Sequence, residues 1–89
     1  MILQFTHSAQ RDLSRLRDFI AKKNPHAAER ISLRLRQSIQ TLVDQPEVGV
    51  NVAELTGVQD LISGHYIIRY TVLNDTIYIL RIWHSKEDR

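Results

Sequence analysis

The stretch HYIIRYTVLNDTIYILRIW, residues 65–83, decides how this chain folds. Two runs rich in Ile, Val, Tyr and Thr flank Asn74-Asp75, and β-branched and aromatic side chains suit a pleated, half-buried surface. Asn and Asp tolerate the positive φ of a two-residue turn, so His65 to Leu73 and Thr76 to Trp83 are predicted to form an antiparallel hairpin. That turn sets a register running from Leu73 opposite Thr76 to Tyr66 opposite Trp83 and His65 opposite His84. Side chains alternate along a strand, so one face would carry Tyr66, Ile68, Tyr70, Val72, Ile77, Ile79, Arg81 and Trp83. Apolar except for Arg81, this face is expected to be buried, with Trp83 as core and Arg81 paired to a helix carboxylate or snorkelling at the edge. The other face would gather His65, Ile67, Arg69, Thr71, Tyr78, Leu80, Ile82 and His84, with Lys86 just beyond. Cationic groups among aliphatics suggest a surface that a partner covers; a solvated sheet face is the plainer alternative.

Upstream the apolar period is helical. Ile2 to Phe5 reads as a short strand, after which the hydroxyl of Thr6 or Ser8 can cap a helix running to about Lys23. Ala9, Leu13, Leu16 and Ile20 form its buried stripe, widened by Phe19. Asn24-Pro25 breaks the chain, because proline in the first turn of a helix gives up no needed hydrogen bond. A second helix is predicted from Pro25 to Asp44, with Ala28, Ile31, Leu35, Ile39 and Leu42 on one stripe. So tight a junction implies an antiparallel helical hairpin. Gln45 to Gly49 supplies a turn, Val50 to Leu55 a strand, Thr56-Gly57 a turn, and Val58 to Ile62 a short strand or extended connection. The order argues for an α+β fold over residues 1–89: an N-terminal strand, then a helical hairpin packed on a small, mainly antiparallel sheet.

The chain has 89 residues, 43% of them hydrophobic, and 12 Lys and Arg against 10 Asp and Glu, which describes one small globular domain. It has no Cys, which excludes disulfides and thiolate metal sites and agrees with a reducing cytoplasm. His7, His26, His65 and His84 share no metal-ligand spacing, so neither metal nor cofactor is expected. Met1 to Phe5 contains no basic n-region and no long apolar run, so no membrane role is expected either. Charge is uneven: residues 6–44 hold eight basic against four acidic side chains, and residues 45–89 four against six. An acidic partner would be drawn to the first half. A nucleic-acid reading of that half lacks interleaved aromatics.

Five segments together resemble the ParE and RelE superfamily of toxins from type II toxin-antitoxin modules. They are Ala9-Gln10-Arg11-Asp12-Leu13, Asn24-Pro25-His26-Ala27-Ala28, Leu42 to Gly49, Gly64 to Tyr70, and Ile79-Leu80-Arg81-Ile82-Trp83-His84. The resemblance implies the fold derived above. It also implies one of two activities: RelE-like members cut mRNA in the ribosomal A site, whereas ParE-like members block DNA gyrase. This chain has Ile67 where RelE-like toxins tend to carry an Arg, and no tyrosine follows Tyr78. It is therefore more similar to the ParE-like, plasmid-stabilisation branch. On that branch no residue is catalytic, and Arg69, Arg81, His84, Lys86 and Arg89 are the expected gyrase contacts. On the ribonuclease alternative His84, Lys86 and Arg69 would supply acid-base and phosphate-binding groups. An inactive homologue that keeps only the fold is the third possibility. The resemblance further implies a hetero-oligomer with a cognate antitoxin, whose acidic amphipathic C-terminal segment would meet Arg11, Arg15, Arg30 and Arg34. Any contact with DNA would be made through the antitoxin.

Overall fold

The computed structural model describes residues 1–87. Its elements are β1 (Ile2–Phe5), α1 (His7–Lys23), α2 (Pro25–Asp44), β2 (Val50–Asn51), β3 (Val58–Ser63), β4 (Tyr66–Leu73) and β5 (Thr76–His84). The strands form one sheet in the order β1-β5-β4-β3-β2, antiparallel except where β1 runs parallel to β5. None of the described helices is long and apolar enough to cross a membrane.

Both helices begin where the sequence places them. The Thr6 hydroxyl accepts the Ala9 N–H at 3.1 Å and donates to the Leu80 carbonyl at 2.9 Å, tying the start of α1 to β5. Asn24 serves both helices: its N–H donates to the Ile20 carbonyl, closing α1, and its Oδ1 accepts the Ala27 N–H, opening α2. Its backbone is extended, φ −159°, so no left-handed residue is needed at the junction.

The helices pack on one sheet face, where Ala9, Leu16, Leu35, Ile39 and Leu42 meet Ile68, Tyr70, Ile77, Ile79 and Ile82. Each fully buried aliphatic side chain there contributes about 1.5–3 kcal/mol of transfer free energy. Tyr70 has the one polar tip in this cluster, and it is satisfied: its hydroxyl donates to the Pro46 carbonyl at 2.8 Å and accepts the Gly49 N–H at 2.9 Å. A Cβ on Gly49 would stand 2.6 Å from that hydroxyl, so only glycine lets the loop come this close. Tyr70→Phe leaves both loop groups without their partner and is expected to cost about 2 kcal/mol in urea unfolding. A midpoint unchanged from the parent would show that water replaces the phenol at no cost.

Three expectations are corrected. The strand predicted over Val50 to Leu55 shrinks to Val50–Asn51, because Val52, Leu55 and Val58 spend their backbone groups on local turns. Phe19 is 59% exposed rather than part of the buried stripe. The third concerns the hairpin register. Asn74 and Asp75 have φ of 50° and 64°, the turn that the sequence demands, and the expected pairing holds from Leu73 with Thr76 to Tyr70 with Ile79. Leu80 then bulges out, and the pairs become Arg69 with Arg81, Ile68 with Ile82, Ile67 with Trp83 and Tyr66 with His84. One extra residue inverts the alternation beyond it.

Candidate functional site

The bulge rearranges the predicted cationic cluster. Ile82 moves into the core, fully buried against the helices, and Trp83 moves to the opposite face. There the Arg69 guanidinium lies 5.0 Å from the centre of the Trp83 ring, and its Nε and Nη2 bind both carboxylate oxygens of Asp60 on β3, at 2.9 and 3.1 Å. Arg81 likewise grips Asp12 of α1 through two hydrogen bonds, at 2.9 and 3.2 Å. This is the helix carboxylate that the sequence reading anticipated. Each hydrogen-bonded carboxylate raises the pKa of its guanidinium. Arg69 and Arg81 are therefore charge-neutralised rather than bare cations, and His84 lies apart from Arg69 on the helix side. The cluster of His65, His84 and Arg69 on one sheet face does not form.

His65 and His84 do meet, though not as a cross-strand pair. Gly64, with φ +60°, and His65 make a two-residue turn between β3 and β4 that the sequence reading missed; the Ser-Gly step between apolar runs was the available signal. The His65 ring stacks on His84 with centroids 5.8 Å apart, while Tyr66 meets His84 edge-on at 5.1 Å. Burial, then the Glu87 carboxylate, holds the Tyr66 phenol above the ordinary tyrosine value.

This Tyr66-His84 ridge separates two hollows beneath the tip of the helical hairpin. On the α1 side, one of about 520 Å³ is lined by Arg15, Leu16, Phe19, Ile20, Lys86 and Glu87 besides the ridge. On the α2 side, one of about 290 Å³ is lined by Ile31, Arg34, Leu35, Ser63, Gly64 and His65. The residues after β5 fold back over the first. Ser85 N–H donates to the His65 carbonyl at 2.7 Å, and Glu87 accepts the His84 N–H and an Arg15 Nη1 hydrogen, both at 3.0 Å.

The Lys86 N–H donates to His84 Nδ1 at 3.1 Å. That bond engages Nδ1 of His84 and leaves Nε2 as the ring nitrogen that can meet a ligand. Lys86 is exposed. Arg15 borders the first hollow and Arg34 the second, while Arg30 lines neither and Arg11 borders a separate depression with His7, Gln10 and Ser14. Arg89, expected as a contact, lies outside the described residues. No group of three His, Cys, Asp or Glu among the described residues could hold a metal ion. Asp12, Asp60, Tyr66, Phe19 and Glu87 are the residues of this region whose part was not read from sequence. Asp12 and Phe19 lay in plain amphipathic helix, and the other three find their partners only through tertiary contacts.

A family model described as the ParE toxin of the type II toxin-antitoxin system parDE matches residues 3–89. The chain belongs to that family of type II toxin-antitoxin toxins. It is 36% identical over 81 residues to Toxin RelE2 of Caulobacter vibrioides, covering 91% of each chain. It is 32% identical over 83 residues to Toxin RelE1 of the same organism, covering 91% of this chain and 89% of that one. Among solved structures it resembles one from the chromosomal ParDE system of P. aeruginosa, with TM-score 0.81 and 25% identity over 94% of this chain and 95% of that one. It also resembles one from the RelBE2 toxin-antitoxin complex of Mycobacterium tuberculosis, with TM-score 0.67 and 25% identity over 93% and 88%. Both share the fold of two helices on a five-stranded mixed sheet.

Proposed function

We propose that this toxin acts by binding and inhibiting DNA gyrase, with no chemistry of its own, and is neutralised by a cognate antitoxin in a hetero-oligomer. The C-terminal segment around His84 and Lys86 makes the target contact. An acidic amphipathic segment of the antitoxin lies across the two hollows and hides that segment, so neutralisation is occlusion. DNA is reached through gyrase or through the antitoxin, which fits a plasmid-stabilisation role in the cytoplasm.

The observation that supports inhibition over cleavage is the state of the would-be catalytic groups. RNA cleavage through a 2′-hydroxyl needs a base beside a phosphate-binding cation. Here Arg69, the cation expected beside His84, is on the far face, held by Asp60, and Nδ1 of His84 is engaged by the Lys86 N–H. The two Caulobacter relatives named RelE favour the second reading, a ribosome-dependent mRNA endonuclease.

Pulse labelling of DNA and protein synthesis in the first minutes after induction, without antitoxin, separates the two. DNA synthesis is expected to fail first while translation continues, and purified toxin should inhibit supercoiling by gyrase. Early loss of translation would replace this reading with mRNA cleavage.

A further inference from the structure

The two hollows differ in charge in a way that assigns the smaller one a ligand. In the larger, Glu87 already supplies a carboxylate, which satisfies Arg15 and the His84 N–H. The smaller contains Arg34, His65 and His84 and, among the described residues, no acidic lining residue. Among the described residues Arg34 takes part in no ion pair. Its Nη1 stands 3.6 Å from where a Cβ on Gly64 would be, an ordinary van der Waals distance, so the guanidinium rests against the β3-β4 turn at the mouth of the hollow. The Ser63 hydroxyl shares a 2.7 Å hydrogen bond with the Ser38 hydroxyl. Below these groups the floor is apolar, formed by Ile31, Leu35 and Tyr66.

We propose that this hollow is an anion pocket, with Arg34, His65 and His84 as donors, that seats a carboxylate side chain of an acidic protein segment flanked by apolar residues. Guanidinium and imidazole N–H groups bind carboxylates through charge-assisted hydrogen bonds. The aliphatic floor of Ile31 and Leu35 suits the apolar side chains that flank a carboxylate in an amphipathic peptide. The hollow adjoins the larger one across the Tyr66-His84 ridge, so one amphipathic segment can occupy both. The inference rests on the reading that an acidic antitoxin segment covers this end of the molecule, and it names the pocket that anchors it.

The test uses the full 89-residue chain, labelled with nitrogen-15, and three probes: a capped peptide of alternating leucine and glutamate, the same peptide with glutamine for glutamate, and inorganic phosphate. The glutamate peptide is expected to shift the Gly64 and His65 amide signals, and the glutamine peptide to bind about tenfold more weakly, the loss of roughly one charged hydrogen bond. Arg34→Gln and His65→Gln should each weaken the glutamate peptide by a similar factor. Both side chains are exposed, so the rest of the spectrum serves as the control for folding. Equal binding of the two peptides, tighter binding of phosphate at the same signals, or shifts confined to the α1 side would each overturn the pocket. An antitoxin that binds Arg34→Gln as tightly as the parent would overturn the pocket while leaving neutralisation intact. Failure of any antitoxin to bind the parent chain would remove the broader reading instead.

Discussion

Asp12→Ala is expected to lower the unfolding free energy by about 3 kcal/mol, a large share of the roughly 4–13 kcal/mol that a domain of this size commands. Asp12 is 4% exposed and does the work of a missing strand. Strand β1 ends at Phe5, so beyond Ile79 the edge of β5 has no strand neighbour on that side. The Asp12 carboxylate fills the place, accepting the Ile82 N–H at 2.9 Å while holding Arg81 through two further hydrogen bonds. Alanine strands a buried N–H and releases a guanidinium that is itself half in water, which keeps the loss below that of a fully buried pair. Asp12→Asn retains an acceptor for Ile82 and is expected to cost about half as much. Urea unfolding of the three proteins checks this, and an alanine variant within about 0.5 kcal/mol of the parent would show that water can cap the strand edge equally well.

A chain ending after Trp83 is expected to fold and to lose its toxicity completely, with colony counts after induction equal to those of the uninduced control. The core between helices and sheet is complete by Ile82, and Trp83 is buried on the opposite face. Among the described residues, the losses include His84 against Tyr66 and His65, the Ser85 hydrogen bond to His65 and the Arg15-Glu87 ion pair. Edge-on ring contacts contribute about 0.5–1.5 kcal/mol, and a surface ion pair about 0–1 kcal/mol, so the truncated domain should remain folded at 25 °C. A cooperative urea transition in the truncated chain establishes that any loss of toxicity is not loss of fold. Folded, truncated and still toxic protein would move the target contact away from the C-terminal segment.

Much of this fold was legible because its signals are local. Thr6 and Asn24 are capping residues whose side chains need only the backbone three positions on. Asn74-Asp75 accept positive φ wherever they stand, and the change of apolar period from helix to strand needs no partner to be seen. The site was less legible. Arg69 and Arg81 stand out as cations in the sequence, but the Asp60 and Asp12 carboxylates that hold them are nine and 69 residues away. Phe19 looked like core because helical periodicity cannot tell where the opposing sheet stops.

By itself, then, the sequence determined the elements, their order, the α+β class and the family, because propensity, capping and turn chemistry act within a few residues. The faces of the last strand were decided only by tertiary structure. Leu80 bulges where β5 passes from pairing with β1 to contact with α1, and the Thr6 hydroxyl and Asp12 carboxylate bind the strand on either side of that change. Past the bulge each side chain points opposite to the regular alternation, which puts Ile82 in the core, Trp83 under Arg69 and His84 between the two hollows.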